Sequence, residues 1–296
     1  LGFSNKNIAG SQNGLLNFTS ASRFIYEPET VAFLQLADIN ILNDSTVYYG
    51  GTAQEILGSA IWTGLNDFVI SLKTAMSLTL GVNNLSTKFD TIYPFIGGTA
   101  SAHKYNLCNP LNTDAAYRLV FSGGWTHSPT GVLPNGANGY TSTFWDSLNK
   151  AGDTRIAFGG YRRIIATAGL FGSWDLTNPT RLYDFVQAAA FTIGDLGGLL
   201  NGAPRTKSHA VALTSSNIKT FSAGVVKNTY AVPTFTRVAI PYFLGARNNN
   251  NVSINQYENG EWSMYWLSGA VEFTDTQIIN TINAMDNLQV ALLRNV

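Results

Sequence analysis

The stretch RLVFSGGWTHSPTGVLPNGANGYTST, residues 118–143, decides how the chain is read. It opens on an apolar run, Leu119-Val120-Phe121, that reads as a buried strand. It then passes through Gly123-Gly124 to Trp125 and His127, and turns at Pro134-Asn135-Gly136 and again at Asn138-Gly139. Asn-Gly is the dipeptide that best tolerates positive φ at both central turn positions, so each copy marks a hairpin or tight turn. Strand, glycine turn and strand packed this closely indicate antiparallel β structure and not βαβ.

Working outward, residues 92–273 read as strand and turn. Candidate strands are 92–96, 118–121, 139–143, 155–163, 181–188, 209–214, 219–226, 240–246 and 264–273. Turn clusters separate them at Gly159-Gly160, Asn178-Pro179, Gly197-Gly198, Asn201-Gly202 and the Asn run 248–251, and 196–208 reads as a Gly-rich loop. Many short strands at this spacing predict a sandwich or jelly roll. Helices flank the region. Thr52 with Glu55 forms a capping box ahead of an apolar stripe running to Leu72, with Trp62 and Ile70 off the stripe and facing a second partner. Thr274 with Gln277 forms another, followed by Ile278, Ile282, Met285 and Leu292 on one face. Residues 1–50 are polar and irregular, with strand fragments at 22–26 and 46–49, and read as an arm.

Composition narrows the function. Of 296 residues, 45% are hydrophobic, enough for a real core. Charged residues are only 12%, with 18 basic and 18 acidic, which gives no electrostatic footprint for nucleic acid or an anionic membrane. The 29 Asn outnumber the basic residues, and such amide-rich surfaces suit carbohydrate contact or polar assembly. No apolar stretch is long enough to span a bilayer. Cys108, the single cysteine, reads as a small buried hydrophobe. The sequence opens at Leu1 with neither Met nor a signal peptide, as a processed or partial product would. Asn-x-Ser/Thr triplets at Asn17, Asn43, Asn84 and Asn251 are what so Asn-rich a chain produces by chance.

Three stretches together, GWTHSPTGVLPNGANGYTST, YFLGARNNNNVSINQYENGEW and FTDTQIINTINAMDNLQVALLR, resemble the laminin-G-like/concanavalin A-like modules of bacteriophage and prophage structural proteins. IYPFIGGTASAHK, residues 92–104, is similar to the leader upstream of such modules, and the resemblance covers about residues 52–294. It implies a mostly β, two-sheet antiparallel jelly-roll sandwich with an N-terminal helical segment and a C-terminal helix. The division is an arm at 1–50, a helical leader at 51–91 and the jelly roll at 92–296. It also implies a place on a virion, an extracellular particle, as a tail or head fibre, spike or decoration. The implied partners are other virion subunits, in a homo-oligomer that is a trimer by analogy with fibres, and host-surface polysaccharide. The alternatives are a purely structural joint or decoration protein, or a glycoside hydrolase of the same fold.

A retaining glycosidase needs two carboxylates close together, and the related endoglucanases carry them as Glu-x-Asp-x-Glu on one strand. No such run occurs. Of six Glu, Glu27 and Glu29 flank Pro28 in the arm, while Glu258 and Glu261 lie in a predicted turn. The expectation is therefore no catalytic residue and no enzyme. His103, His127 and His209 lack HxH or HExxH spacing, so neither a metal nor a cofactor is expected from them. His127 reads as a turn histidine beside a core tryptophan. Scattered Asp, Asn and backbone oxygens leave a calcium site open. Sugar binding needs exposed aromatic faces with amides beside them for the hydroxyls. Tyr257, Glu258, Asn259 and Trp262 beside the Asn run 248–251, Asn249 in particular, supply that mix, as do Trp145 with Asp146 and Trp174 with Asp175. Each also reads as packing or subunit interface. Under the binding reading Trp145 or Trp262 is solvent-exposed.

Overall fold

The computed structural model describes residues 26–37, 53–150, 155–164, 170–175, 181–185, 190–193, 200–201, 207–214, 216–231, 237–269 and 271–296. The predicted capping box at Thr52, the strand fragments at 22–25 and 46–49, and the turns at Asn178-Pro179 and Gly197-Gly198 lie outside the described residues.

The fold is a two-sheet β-sandwich with helices at both ends of the sequence. Sheet A holds β1 (Thr91–Tyr93), β3 (Trp125–Ser128), β4 (Gly131–Pro134), β6 (Ile156–Ile164), β11 (Lys207–Leu213), β12 (Asn217–Ser222), β13 (Val225–Ala231) and β17 (Glu261–Ser268). Its order is β13-β12-β11-β6-β17-β4-β3, and β1 pairs β17. Sheet B holds β2 (Val120–Ser122), β5 (Tyr140–Ser142), β7 (Leu170–Trp174), β8 (Arg181–Phe185), β9 (Ala190–Ile193), β10 (Leu200–Asn201), β14 (Phe243–Leu244), β15 (Arg247–Asn249) and β16 (Ser253–Asn255). Its order is β10-β9-β8-β7-β14-β5-β2, with β15 pairing β16 and β7. The ladders are antiparallel except β15 on β7, which is parallel. The helices are α1 (Pro28–Leu36), α2 (Ala53–Ala75), α3 (Ala100–His103), α4 (Ser147–Lys150) and α5 (Asp275–Ala291).

Two cores follow from strand alternation. The central strands of sheet A are buried on both faces, which is why they read as near-continuous apolar runs. Ile156, Phe158, Val211 and Leu213 point between the sheets toward Phe171 and Leu244. Their neighbours Ala157, Tyr161, Ala210 and Ala212 point the other way, toward Ile278, Ile282, Met285 and Leu288 of α5. In β17 the alternation changes phase. Trp262 faces the inter-sheet core with Tyr265 and Leu267, and a register shift between Trp262 and Met264 takes up the extra residue. Gly159 and Gly160, predicted as a turn, sit in the middle of β6. A Cβ on Gly160 would lie 2.5 Å from the Met264 carbonyl and 2.9 Å from the Trp262 ring, so bulky neighbours and not chain reversal explain the pair.

The stretch 118–143 serves both sheets. β2 and β5, at its ends, pair in sheet B, while β3 and β4, in its middle, form a hairpin in sheet A. The Gly123-Gly124 turn and the 135–139 segment, which holds both Asn-Gly dipeptides expected as hairpins or tight turns, are therefore crossings from sheet to sheet, and they lie side by side. Asn135 N–H donates to Gly124 O at 3.0 Å, and Gly124 N–H to Asn138 Oδ1 at 3.0 Å. Asn135 Oδ1 accepts from the N–H groups of Ala137, Asn138 and Gly139. Gly123 has φ +71°, and a Cβ there would lie 1.9 Å from Asn138 O, so only glycine fits.

The C-terminal capping box forms as predicted: Gln277 N–H donates to Thr274 Oγ1, and Thr274 N–H to Gln277 Oε1. α5 lies on β11 with β6, β12 and β13 beside it, α2 packs on α5, and α1 packs on α2. Within the segment read as an irregular arm, residues 28–36 are helical, because Pro28 presets the first turn and Phe33 and Leu34 bury completely against α2. Trp62, expected under a neighbouring subunit, is 5% exposed and is covered by the chain's own Tyr26 at 5.3 Å in edge-to-face contact.

Candidate functional site

The outer face of sheet B carries an open cleft of about 460 Å³ between the β5–β14 pair and the β15–β16 hairpin. Thr141 and Leu244 face inward and are buried, so their neighbours Tyr140 and Phe243 face outward. The two rings occupy diagonal positions across the strand pair and stack at 5.3 Å with 14° between planes. Tyr257 lines the cleft as well, while the next residue, Glu258, turns into the interior.

The Asn run builds the opposite wall. Asn250 and Asn251 have φ of 50° and 58°, and Val252 N–H closes the turn on Asn249 O at 2.8 Å. Asn is the non-glycine residue most at ease in that left-handed region. Asn248 Nδ2 donates to Asn251 Oδ1 at 2.8 Å and to Pro241 O at 3.0 Å, and its Oδ1 accepts from Asn251 N–H at 3.1 Å. The amides are thus held in place, with Ser253 and the apolar Val252 and Ile254 completing the lining. Among the described residues no charged side chain lines the cleft.

The residues singled out from sequence are dispersed by the fold. Tyr257 is in the cleft, and Asn249 lies in its hairpin wall, 4% exposed, with Nδ2 donating to Ser253 Oγ. Asn259 packs against Gly136 of the β4–β5 crossing. Trp174 is half-buried under the Arg247 guanidinium, 4.2 Å from its ring, and Asp175 is buried beside it in sequence. Asp146 spends both oxygens on Asn149 at the start of α4. Trp145 and Trp262 are corrections: both are 0% exposed and offer no face to a sugar. The Trp145 indole donates to Asp90 and meets Tyr242 edge-on, while Trp262 donates to Glu258, stacks on Phe171 and lies under Arg162. In both, the neighbouring polar group that suggested a ligand platform answers a structural need. Tyr140 and Phe243 were not singled out at all.

His103 and His127 meet at 3.0 Å through their Nδ1 atoms. Gly98 N–H donates to His103 Nε2, so the His103 proton sits on Nδ1 and goes to His127 Nδ1. Both inward lone pairs are used, leaving none for a metal ion. Burial, then His127, then Arg294 hold the His103 pKa down at about 3, and burial lowers that of His127. Among the described residues no group of three or more His, Cys, Asp or Glu is arranged to hold a metal.

No protein-family model matches the chain, and no curated protein matches it. Among solved structures it is similar to domain 4 of AbnA, a GH43 extracellular arabinanase from Geobacillus stearothermophilus in complex with arabinotriose. That match has 13% identity and a TM-score of 0.38, covering 66% of this chain and 98% of that one. It is also similar to a mutant Trypanosoma rangeli sialidase displaying trans-sialidase activity, at 8% identity and TM-score 0.45, over 77% of this chain and 40% of the sialidase. With both scores below 0.5, nothing about this chain's ligand follows from either. The expectation of no enzyme is corrected: a missing Glu-x-Asp-x-Glu run excludes only that one arrangement of acids, and the two solved neighbours are an arabinanase domain and a sialidase.

Proposed function

We propose that this chain is a carbohydrate-binding β-sandwich protein, and that the sheet B cleft takes a short run of uncharged sugar residues. The carrying observation is the stacked Tyr140–Phe243 pair facing the exposed Asn251 amide, which buried Asn248 holds in place, across an open cleft with Tyr257 beside them. Aromatic faces suit the C–H faces of pyranose rings, and an amide both donates to and accepts from hydroxyls. The cleft volume falls in the range of small-ligand sites, roughly 300–1,000 Å³. A lining without charge among the described residues favours neutral sugars over uronic acids or sulfated glycans. A virion appendage is the setting proposed from the sequence resemblance. There an oligomer, a trimer by analogy with fibres, would turn weak single contacts into useful avidity.

The test is a neutral-oligosaccharide array followed by titration calorimetry on any hit, with Tyr257→Ala and Phe243→Ala beside the unaltered protein. Each substitution should weaken binding about tenfold or more, since one lost stacking contact of about 1.4 kcal/mol is a factor of ten. Unchanged affinity in both variants, or no binding to any neutral glycan, removes the cleft from consideration. The same incubations assayed for new reducing ends would show whether binding leads to cleavage.

A further inference from the structure

Lys73, near the end of α2, is fully buried, and its Nζ reaches two buried carboxylates. Glu27 Oε2 lies at 2.5 Å and Glu29 Oε2 at 2.8 Å, with side-chain exposures of 2% and 0%. Both come from the start of α1, Glu27 as its N-cap residue. Each carboxylate has its own backbone support. Gly81 N–H donates to Glu27 Oε1 and Oε2 at 3.1 and 3.0 Å. Asn84 and Leu85 N–H donate to Glu29 Oε1 at 2.8 and 3.1 Å, leaving Oε2 for the lysine. The remaining Lys73 donor goes to Val82 O at 2.8 Å.

We propose that Lys73 and Glu27 condense into an isopeptide bond, with Glu29 relaying the protons. Glu29 Oε2 takes a proton from Lys73 Nζ and passes it to Glu27 Oε2, so that a neutral amine faces a neutral carboxyl, and the amine lone pair attacks Glu27 Cδ while Gly81 N–H supports the developing oxyanion on Oε1. Glu29 then takes a second proton from Nζ and hands it to the Oε2 hydroxyl, which departs. The C–N bond forms, the C–O bond breaks, one water leaves, and Glu29 ends ionised as it began.

Three features favour this. The amine and carboxyl are held in contact, where effective concentrations reach about 10⁵–10⁸ M. Burial keeps out the water that hydrolysis would need, and the product replaces two buried charges, costly to desolvate, with a neutral amide. That amide also stays hydrogen-bonded: its carbonyl keeps Gly81 N–H and its N–H keeps Glu29. Only the Val82 carbonyl loses its donor, and Val82 is 50% exposed, so solvent replaces it. The consequence is a covalent tie between α1 and α2, independent of any ligand on sheet B.

The test is the intact mass of the full chain in denaturing solvent. The expected value is one water below the sequence mass. Trypsin should leave residues 24–88 uncut at Lys73 and lighter by one water, since no Lys or Arg lies between Arg23 and Lys73, and chymotrypsin then cutting inside 28–72 should leave two pieces still joined. Glu29→Gln should keep the full mass while Trp62 fluorescence shows the helices still packed, and Glu27→Ala should also keep it. A full-mass unaltered protein overturns the proposal and leaves an ion-pair latch. Water loss in Glu29→Gln overturns the relay, and in Glu27→Ala it overturns the assigned link.

Discussion

On the outer face of sheet A, Ala157, Tyr161, Ala210, Ala212, Met264 and Trp266 lie in one buried cluster with α2 and α5. On the outer face of sheet B, Tyr140 and Phe243 are half-buried beside an open cleft, and among the described residues neither long helix packs there. The same period-two alternation generates both faces, so the difference comes from what each presents. Sheet A offers small alanines that let α5 approach closely, framed by large rings; sheet B offers a stacked pair beside fixed amides. Burial has removed one face from contact with any ligand and left the other available.

The sharpest way to break this contrast is to truncate one aromatic on each face. Trp266 is 1% exposed and meets Phe89 and Phe273 edge-on, so Trp266→Ala should cost about 3–5 kcal/mol. Phe243→Ala removes mainly the stacking contact with Tyr140 and should cost about 0.5–1.5 kcal/mol. Urea unfolding midpoints read both. Equal losses would mean that sheet B's outer face is as structural as sheet A's, and the cleft would lose its claim to be free.

The contrast also governs what could be read from the sequence. The central strands of sheet A are buried on both faces, so 155–163 and 209–214 stand out as apolar runs. The strand predicted at 219–226 instead spans two, because Ala223 and Gly224 at φ 49° and 69° turn the chain between β12 and β13. Sheet B is built of shorter pieces; β14 is only Phe243–Leu244, where 240–246 was expected. Half the cleft was legible, since the Asn run and Tyr257 are neighbours in sequence. Tyr140 and Phe243 are brought together only by the β5–β14 register, a long-range pairing that no local pattern encodes. Trp145 and Trp262 misled for the complementary reason: an indole beside an acid looks the same in sequence whether the acid serves a sugar or answers a buried N–H. Here Glu258 accepts from Trp262, and Asp90, distant in sequence, from Trp145.

A second prediction concerns β3, the edge of sheet A furthest from the strands that α5 contacts. His103 on α3 is 1% exposed against His127, and its pKa is held at about 3 by burial first, then by His127 and Arg294. The unfolded imidazole titrates near 6.5, so between these values the unfolded chain takes up a proton that the folded one refuses. The contribution is complete above about pH 6.5 and falls as pH drops toward 3, by at most about 1.4 kcal/mol per unit. Half-buried His127, also lowered, acts in the same direction. Stability measured from pH 7 to 4 should slope accordingly. His103→Gln keeps an acceptor for Gly98 N–H and should flatten that slope; an unchanged slope would place acid sensitivity elsewhere.

The smallest expected effect isolates the covered face without touching any buried ring. Thr274 caps α5 by accepting from Gln277 N–H, and Gln277 returns a bond to Thr274 N–H. Thr274→Ala leaves a free donor at the first turn and should cost about 1 kcal/mol, while Thr274→Ser should restore most of it. Because α5 lies on sheet A, the loss should appear in the unfolding midpoint and not in glycan affinity at the sheet B cleft. Affinity that fell together with stability would show that the helix layer and the cleft are coupled through the inter-sheet core. The two faces could then no longer be assigned separate roles.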